Sequence, residues 1–166
     1  MLRNLTRWQV LAGAGVLVVV VAVLVTWLAW PDDEPAPRER QYKSTTACLL
    51  TDDKDLAGDL AKAAWAGMQD ASAATLIKVQ HLAITGPQTA ANALTFYNSL
   101  GVQHCTVIIA AGDVPVAAMT QGYAGFPDIK QAAVGGDVKG KPITVVDASS
   151  PDSIRNGVKT IVAAAA

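Results

Sequence analysis

Aspartate recurs where apolar runs of this chain end. Asp52 and Asp53 follow the run 47–50, Gly112 and Asp113 follow 106–111, Asp137 follows Gly135-Gly136, and Asp147 follows 143–146. Carboxylates gathered at loop ends can hold a cation, accept hydrogen bonds from a hydroxyl-rich ligand or receive a basic partner. Some have a local alternative, because Asp55, Asp113 and Ser150 each stand where a side chain caps a following helix. Asp52 and Asp53 have no such duty. The candidate ligand-facing residues are therefore Asp52, Asp53, Gly112, Asp113 and Asp147.

Other chemistries lack their residues. His81 and His104 are the only histidines, and neither has a Cys or His neighbour at metal-ligand spacing. There is no G-x-S-x-G elbow, no G-x-G-x-x-G and no Walker loop, so no cofactor is implied and a non-catalytic role is expected. An acidic pair after a first strand also suits a phospho-receiver domain. Here, however, the third strand ends Ala110-Ala111-Gly112 before any Asp, and Lys141-Pro142 precedes the fifth strand instead of following it. Cys48 and Cys105 are the only cysteines. They either form a disulfide, awkward between adjacent parallel strands, or stay as buried thiols.

The elements that must position these residues alternate. Strand patterns at 47–50, 76–84, 106–111, 129–134 and 143–146 are interleaved with helical ones. The helices start near Leu56, at Gly86-Pro87, at Asp113 and, behind Ser149-Ser150-Pro151, at Asp152. Such alternation predicts an α/β three-layer sandwich on a five-stranded parallel sheet. The order 2-1-3-4-5 places the two most continuously apolar strands, the first and third, in the interior. In such sheets ligands bind beyond the carboxyl ends of the strands, where the strand order reverses. The aspartates fall there.

Upstream, residues 10–30 form an uninterrupted apolar run, long enough to cross a bilayer as a helix. Arg3 and Arg7 precede it, while Asp32, Asp33 and Glu34 follow. The expected topology is a cytoplasmic tail over 1–8, a single-pass signal-anchor over 9–30 and a Pro-rich linker over 31–45, carrying an extracytoplasmic domain over 46–166 in the cell membrane. A cleaved signal peptide would have a shorter core and small residues where Leu28-Ala29-Trp30-Pro31 stands. Beyond the anchor lie 14 acidic residues against the 13 basic ones less Arg3 and Arg7, a net of about −3. That balance argues against nucleic acid or an anionic lipid surface as a partner.

Leu49-Leu50-Thr51-Asp52, Ala64-Trp65-Ala66-Gly67-Met68, Tyr97-Asn98-Ser99-Leu100, the segment from Gly101 through Cys105 to Ile109, and Phe126-Pro127-Asp128-Ile129-Lys130 occur in an order seen before. Over about residues 46–150 the chain resembles the amino-terminal lobe of the basic membrane protein (BMP) family of substrate-binding lipoproteins. The resemblance implies a type I periplasmic-binding-protein lobe whose loops carrying Asp52 and Gly112 face a ligand cleft, often a nucleoside site. The chain departs from that family in having one lobe and an apolar helix as anchor. Its first loop is also shortened to Asp53-Lys54-Asp55-Leu56, without the aromatic platform. Two roles follow as expectations. One is a lobe that binds a small ligand or contacts a transporter, completed by a second copy or another protein. The other is an envelope protein-interaction module that has lost ligand binding.

Overall fold

The computed structural model describes residues 20–25 and 41–166. Residues 20–25 are helical with exposed side chains. Among the described residues no helix is long and apolar enough to cross a membrane. Apart from 20–25, the span expected over 9–30 lies outside the described residues, as do the tail and most of the linker.

From Tyr42 onward the chain alternates as its periodicities require. The strands are β1 (Thr46–Thr51), β2 (Lys78–Ala83), β3 (Val107–Ala111), β4 (Lys130–Val134) and β5 (Thr144–Val146). The helices are α1 (Asp59–Thr75), α2 (Ala90–Val102), α3 (Asp113–Gly122) and α4 (Pro151–Ala163). All strand pairs are parallel and the order is β2-β1-β3-β4-β5, as expected. β1 and β3 are buried along almost their whole length because both faces are covered. Alternate residues divide between two cores. Leu49, Val107, Ile109 and Val134 face α1 and α4, while Leu50, Ile108, Ala110 and Ala133 face α2 and α3.

Small residues let α1 and α4 approach closely. The buried side of α1 is Ala61, Ala63, Ala64, Gly67, Met68 and Ala71. A Cβ on Gly67 would overlap the Arg155 carbonyl of α4. At the seam's solvent edge the Arg155 guanidinium grips the Asp70 carboxylate with two hydrogen bonds, of 2.6 and 2.9 Å. That fork-to-carboxylate pairing holds the Asp70 carboxyl below its usual range.

On the opposite face Tyr97 is fully buried, edge-on to Phe126, and its hydroxyl has no hydrogen-bond partner among the described residues. Burial pushes its pKa up to about 12. A buried unpaired hydroxyl costs stability. Tyr97→Phe is therefore expected to leave stability unchanged or raise it by up to about 1 kcal/mol in urea unfolding. A loss of that size would mean the hydroxyl has a partner.

Three boundaries differ from the sequence expectation. Leu76 is not in β2 but closes α1 in a left-handed conformation (φ 62°), and its side chain is exposed. α1 starts at Asp59 instead of near Leu56, after a 3₁₀ turn at Asp55–Ala57. Gly86-Pro87 is a turn ahead of α2, whose cap is the Thr89 hydroxyl accepting from the Asn92 N–H.

Candidate functional site

The strand order reverses between β1 and β3, and their following loops separate there. Asp52 leaves β1 and Gly112 leaves β3, and both line a cleft of about 230 Å³ with Lys54, Gly58, Asp59 and Leu60. Gly112 has φ 100° and ψ 169°, a conformation reserved for glycine. It caps α3 through its carbonyl, which accepts from the Val116 N–H at 3.1 Å, and its own N–H is bound to the Val134 carbonyl at 2.9 Å. The backbone at the cleft is therefore fixed from both sides.

Of the expected ligand-facing residues, this cleft unites Asp52 and Gly112. Asp53, Asp113 and Asp147 are exposed on the same carboxyl end of the sheet but do not line it. The aspartates share a local duty. Asp52 accepts from the Lys54 N–H (3.0 Å), Asp137 from the Lys139 N–H (2.8 Å) and Asp147 from the Ser149 N–H (3.0 Å). Each pins its own loop by a bond two residues on. The Ser149 N–H, followed by the Ser149 hydroxyl, holds the Asp147 carboxyl below its ordinary range. Its contribution to stability is therefore present above the unfolded pKa near 3.8 and is lost as pH falls further.

Capping divides differently from the sequence expectation. Ser150 caps α4 by accepting from the Ser153 N–H. Asp113 does not cap α3, because Gly112 holds that position and Asp113 lies within the first turn, where its charge suits the helix dipole. Asp55 is not a cap either. It sits at φ 51°, receives the Thr51 hydroxyl at 3.5 Å and pairs with His81 Nδ1 at 3.0 Å, while the His81 ring lies edge-on to Trp65 at 5.1 Å. No local spacing signals this Asp55–His81–Trp65 cluster. It exists because the order β2-β1 brings residue 81 of an edge strand beside the loop after β1. Among the described residues no group of three or more His, Cys, Asp or Glu could hold a metal ion.

Cys48 and Cys105 form a disulfide with their Cα atoms 6.0 Å apart. The awkward geometry of adjacent parallel strands is avoided because Cys105 is not in β3: it precedes the strand, where the chain has not yet entered the ladder. Gln80 Nε2 covers the bridge, 3.2 Å from Cys48 Sγ and 3.6 Å from Cys105 Sγ.

No family model matches the chain, and no curated protein matches it in sequence. Solved structures do. The fold is similar to that of a fragment described as a "putative lipoprotein" from Peptoclostridium difficile 630, with a TM-score of 0.61 at 13% identity over 73% of this chain and 98% of that one. An ABC transporter solute-binding protein from Aeropyrum pernix K1 matches with a TM-score of 0.49 at 17% identity, over 60% of this chain and 27% of that one. A transcriptional activator of the comK gene from Bacillus halodurans matches with a TM-score of 0.49 at 18% identity, over 60% and 33%. At these identities the likeness to the first is one of fold.

Proposed function

We propose that this chain is a membrane-tethered, non-catalytic recognition lobe of the substrate-binding-protein type, related to the amino-terminal lobe of the BMP family. The carboxyl end of β1 and β3 is its ligand-facing half-cleft. The observation that carries the reading is the convergence of Asp52 and Gly112 on one cleft at the reversal of strand order. A carboxylate beside rigid backbone suits a hydroxyl-bearing ligand such as a nucleoside. At about 230 Å³ the cleft falls below the roughly 300–1,000 Å³ of whole small-molecule pockets. A single lobe therefore holds one side of the ligand, and a second copy, a transporter or another envelope protein supplies the other.

The test is thermal unfolding of the full chain in nanodiscs against nucleosides and divalent cations, followed by tryptophan fluorescence, to which Trp65 is the α/β domain's contribution. Saturable stabilisation is expected with a nucleoside, reaching about 2.7 kcal/mol at a hundredfold excess over Kd. Asp52→Asn should abolish it, since that variant keeps an acceptor for the Lys54 N–H but removes the charge. A flat response to every nucleoside would overturn ligand binding and leave the small cleft as a protein-docking face.

A further inference from the structure

The charge that nearly cancels over the chain is unevenly spread: most aspartates gather at the carboxyl end of the sheet, where Lys54, Lys62 and Lys139 offset only part of them. Of the aspartates in residues 41–166, only Asp70 and Asp128 lie away from the carboxyl end of the sheet. At the opposite end Lys78 and Lys130 are the first residues of β2 and β4, Lys43 precedes β1 and Lys141 precedes β5. Helix dipoles account for Asp59, Asp113 and Asp152, which sit in first turns, but no helix of the domain has a basic residue in its last turn. Lys130 Nζ is bound to the Ala164 carbonyl and Lys141 lies over the Tyr123 ring. Lys43 and Lys78 have no acid partner among the described residues.

Exposed apolar groups share the lysine end. Tyr42, Leu76 and Val102 are 47%, 38% and 70% exposed, and Val145 is the only other large exposed apolar side chain of residues 41–166. The Lys43 N–H bonds the Leu76 carbonyl, which holds Tyr42, Lys43 and Leu76 together. Two clefts open there. One, of about 340 Å³, is lined by Tyr42, Lys78 and Gln80; the other, of about 430 Å³, by Tyr123, Asp128, Ile129, Lys130 and Pro142. Residues 41–45, which lead into β1, also lie at this end.

We propose that the amino-end face, carrying Lys43, Lys78, Tyr42, Leu76 and Val102, docks on an anionic bilayer surface and turns the Asp-rich carboxyl end away from it. Lysines beside exposed aromatic and aliphatic groups match the charge of anionic headgroups and the apolar layer beneath them. The opposite end is repelled. On a chain anchored as the proposed function has it, a weak attraction of this face for the bilayer becomes an effectively intramolecular one. The inference rests on the anchor in the functional reading and is independent of ligand binding.

The full chain, labelled at Val102→Cys or at Ala148→Cys on the carboxyl end, would be reconstituted in vesicles of phosphatidylcholine and phosphatidylglycerol at three to one. Energy transfer to a lipid dye then reports which end lies nearer. The domain is roughly 35 Å across. Transfer from Val102→Cys is expected to be severalfold more efficient, with the difference falling at high salt, in phosphatidylcholine alone and in Lys43→Glu/Lys78→Glu. Equal transfer from the two labels, or indifference to both salt and charge reversal, would overturn the docking. Failure to float with vesicles would overturn the anchor itself. Neither result bears on the nucleoside titration.

Discussion

Reduction of the Cys48–Cys105 bridge is expected to remove about 4 kcal/mol from the stability of the α/β domain. The bridge joins residues 57 apart, and in the chain-entropy account a closed loop of that length restricts the unfolded ensemble by about that amount. Both half-cystines are buried in the core between the sheet and α2–α3, so the native state also loses a packed group when they are replaced. For a domain of this size the loss corresponds to a fall in Tm of roughly 12–20 °C. Urea unfolding with and without a phosphine reductant, repeated on Cys48→Ala/Cys105→Ala, measures it. An unchanged midpoint on reduction would show that the bridge contributes nothing.

Gly67→Ala is expected to cost about 2 kcal/mol net, against the usual gain from replacing a helical glycine. Alanine improves helix propensity by about 1 kcal/mol, but overpacking a tight core costs about 1–3 kcal/mol and sometimes more. Here the new methyl meets the Arg155 backbone, which has no rotamer to change. α1 and α4 must separate, and the contacts along Ala63, Ala64 and Val158 loosen with them. Gly125→Ala is the control, since nothing lies within 4 Å of its Cβ position, and it should fall within about 0.5 kcal/mol of the parent. Paired urea titrations decide the matter. Equal midpoints for the two variants would mean the helices can move apart at no cost.

The fold was legible because its signals are strong and redundant. Residues 106–111 read as a strand of the sheet interior, and Val107 to Ala111 are all buried there. The apolar continuity of β1 and β3 carried the strand order. Boundaries were less legible where backbone conformation decides them: Leu76 is apolar enough for a strand yet closes a helix at positive φ. The site was legible only in outline. Asp52 and Gly112 converge because the reversal of strand order brings their loops together, which the rule for parallel sheets anticipates. The pairing of Asp55 with His81 depends on how an edge strand sits against a loop, and no period in the chain encodes that. Net charge says nothing of how charge is placed, because a sum over residues carries no information about the two ends of a sheet.

The seam between α1 and α4 also bears on how the chain matures. α1 follows the first strand of the domain, whereas α4 is its final helix, and each covers much of the other's apolar stripe. A chain emerging from its amino end, from a ribosome or across a membrane, therefore carries the side of α1 that meets α4 uncovered until residues 151–163 arrive. Most of the sheet can pair before then, but one of its faces stays open, and such surface is prone to aggregate. That face of the sheet is fully covered only once α4 has packed against α1.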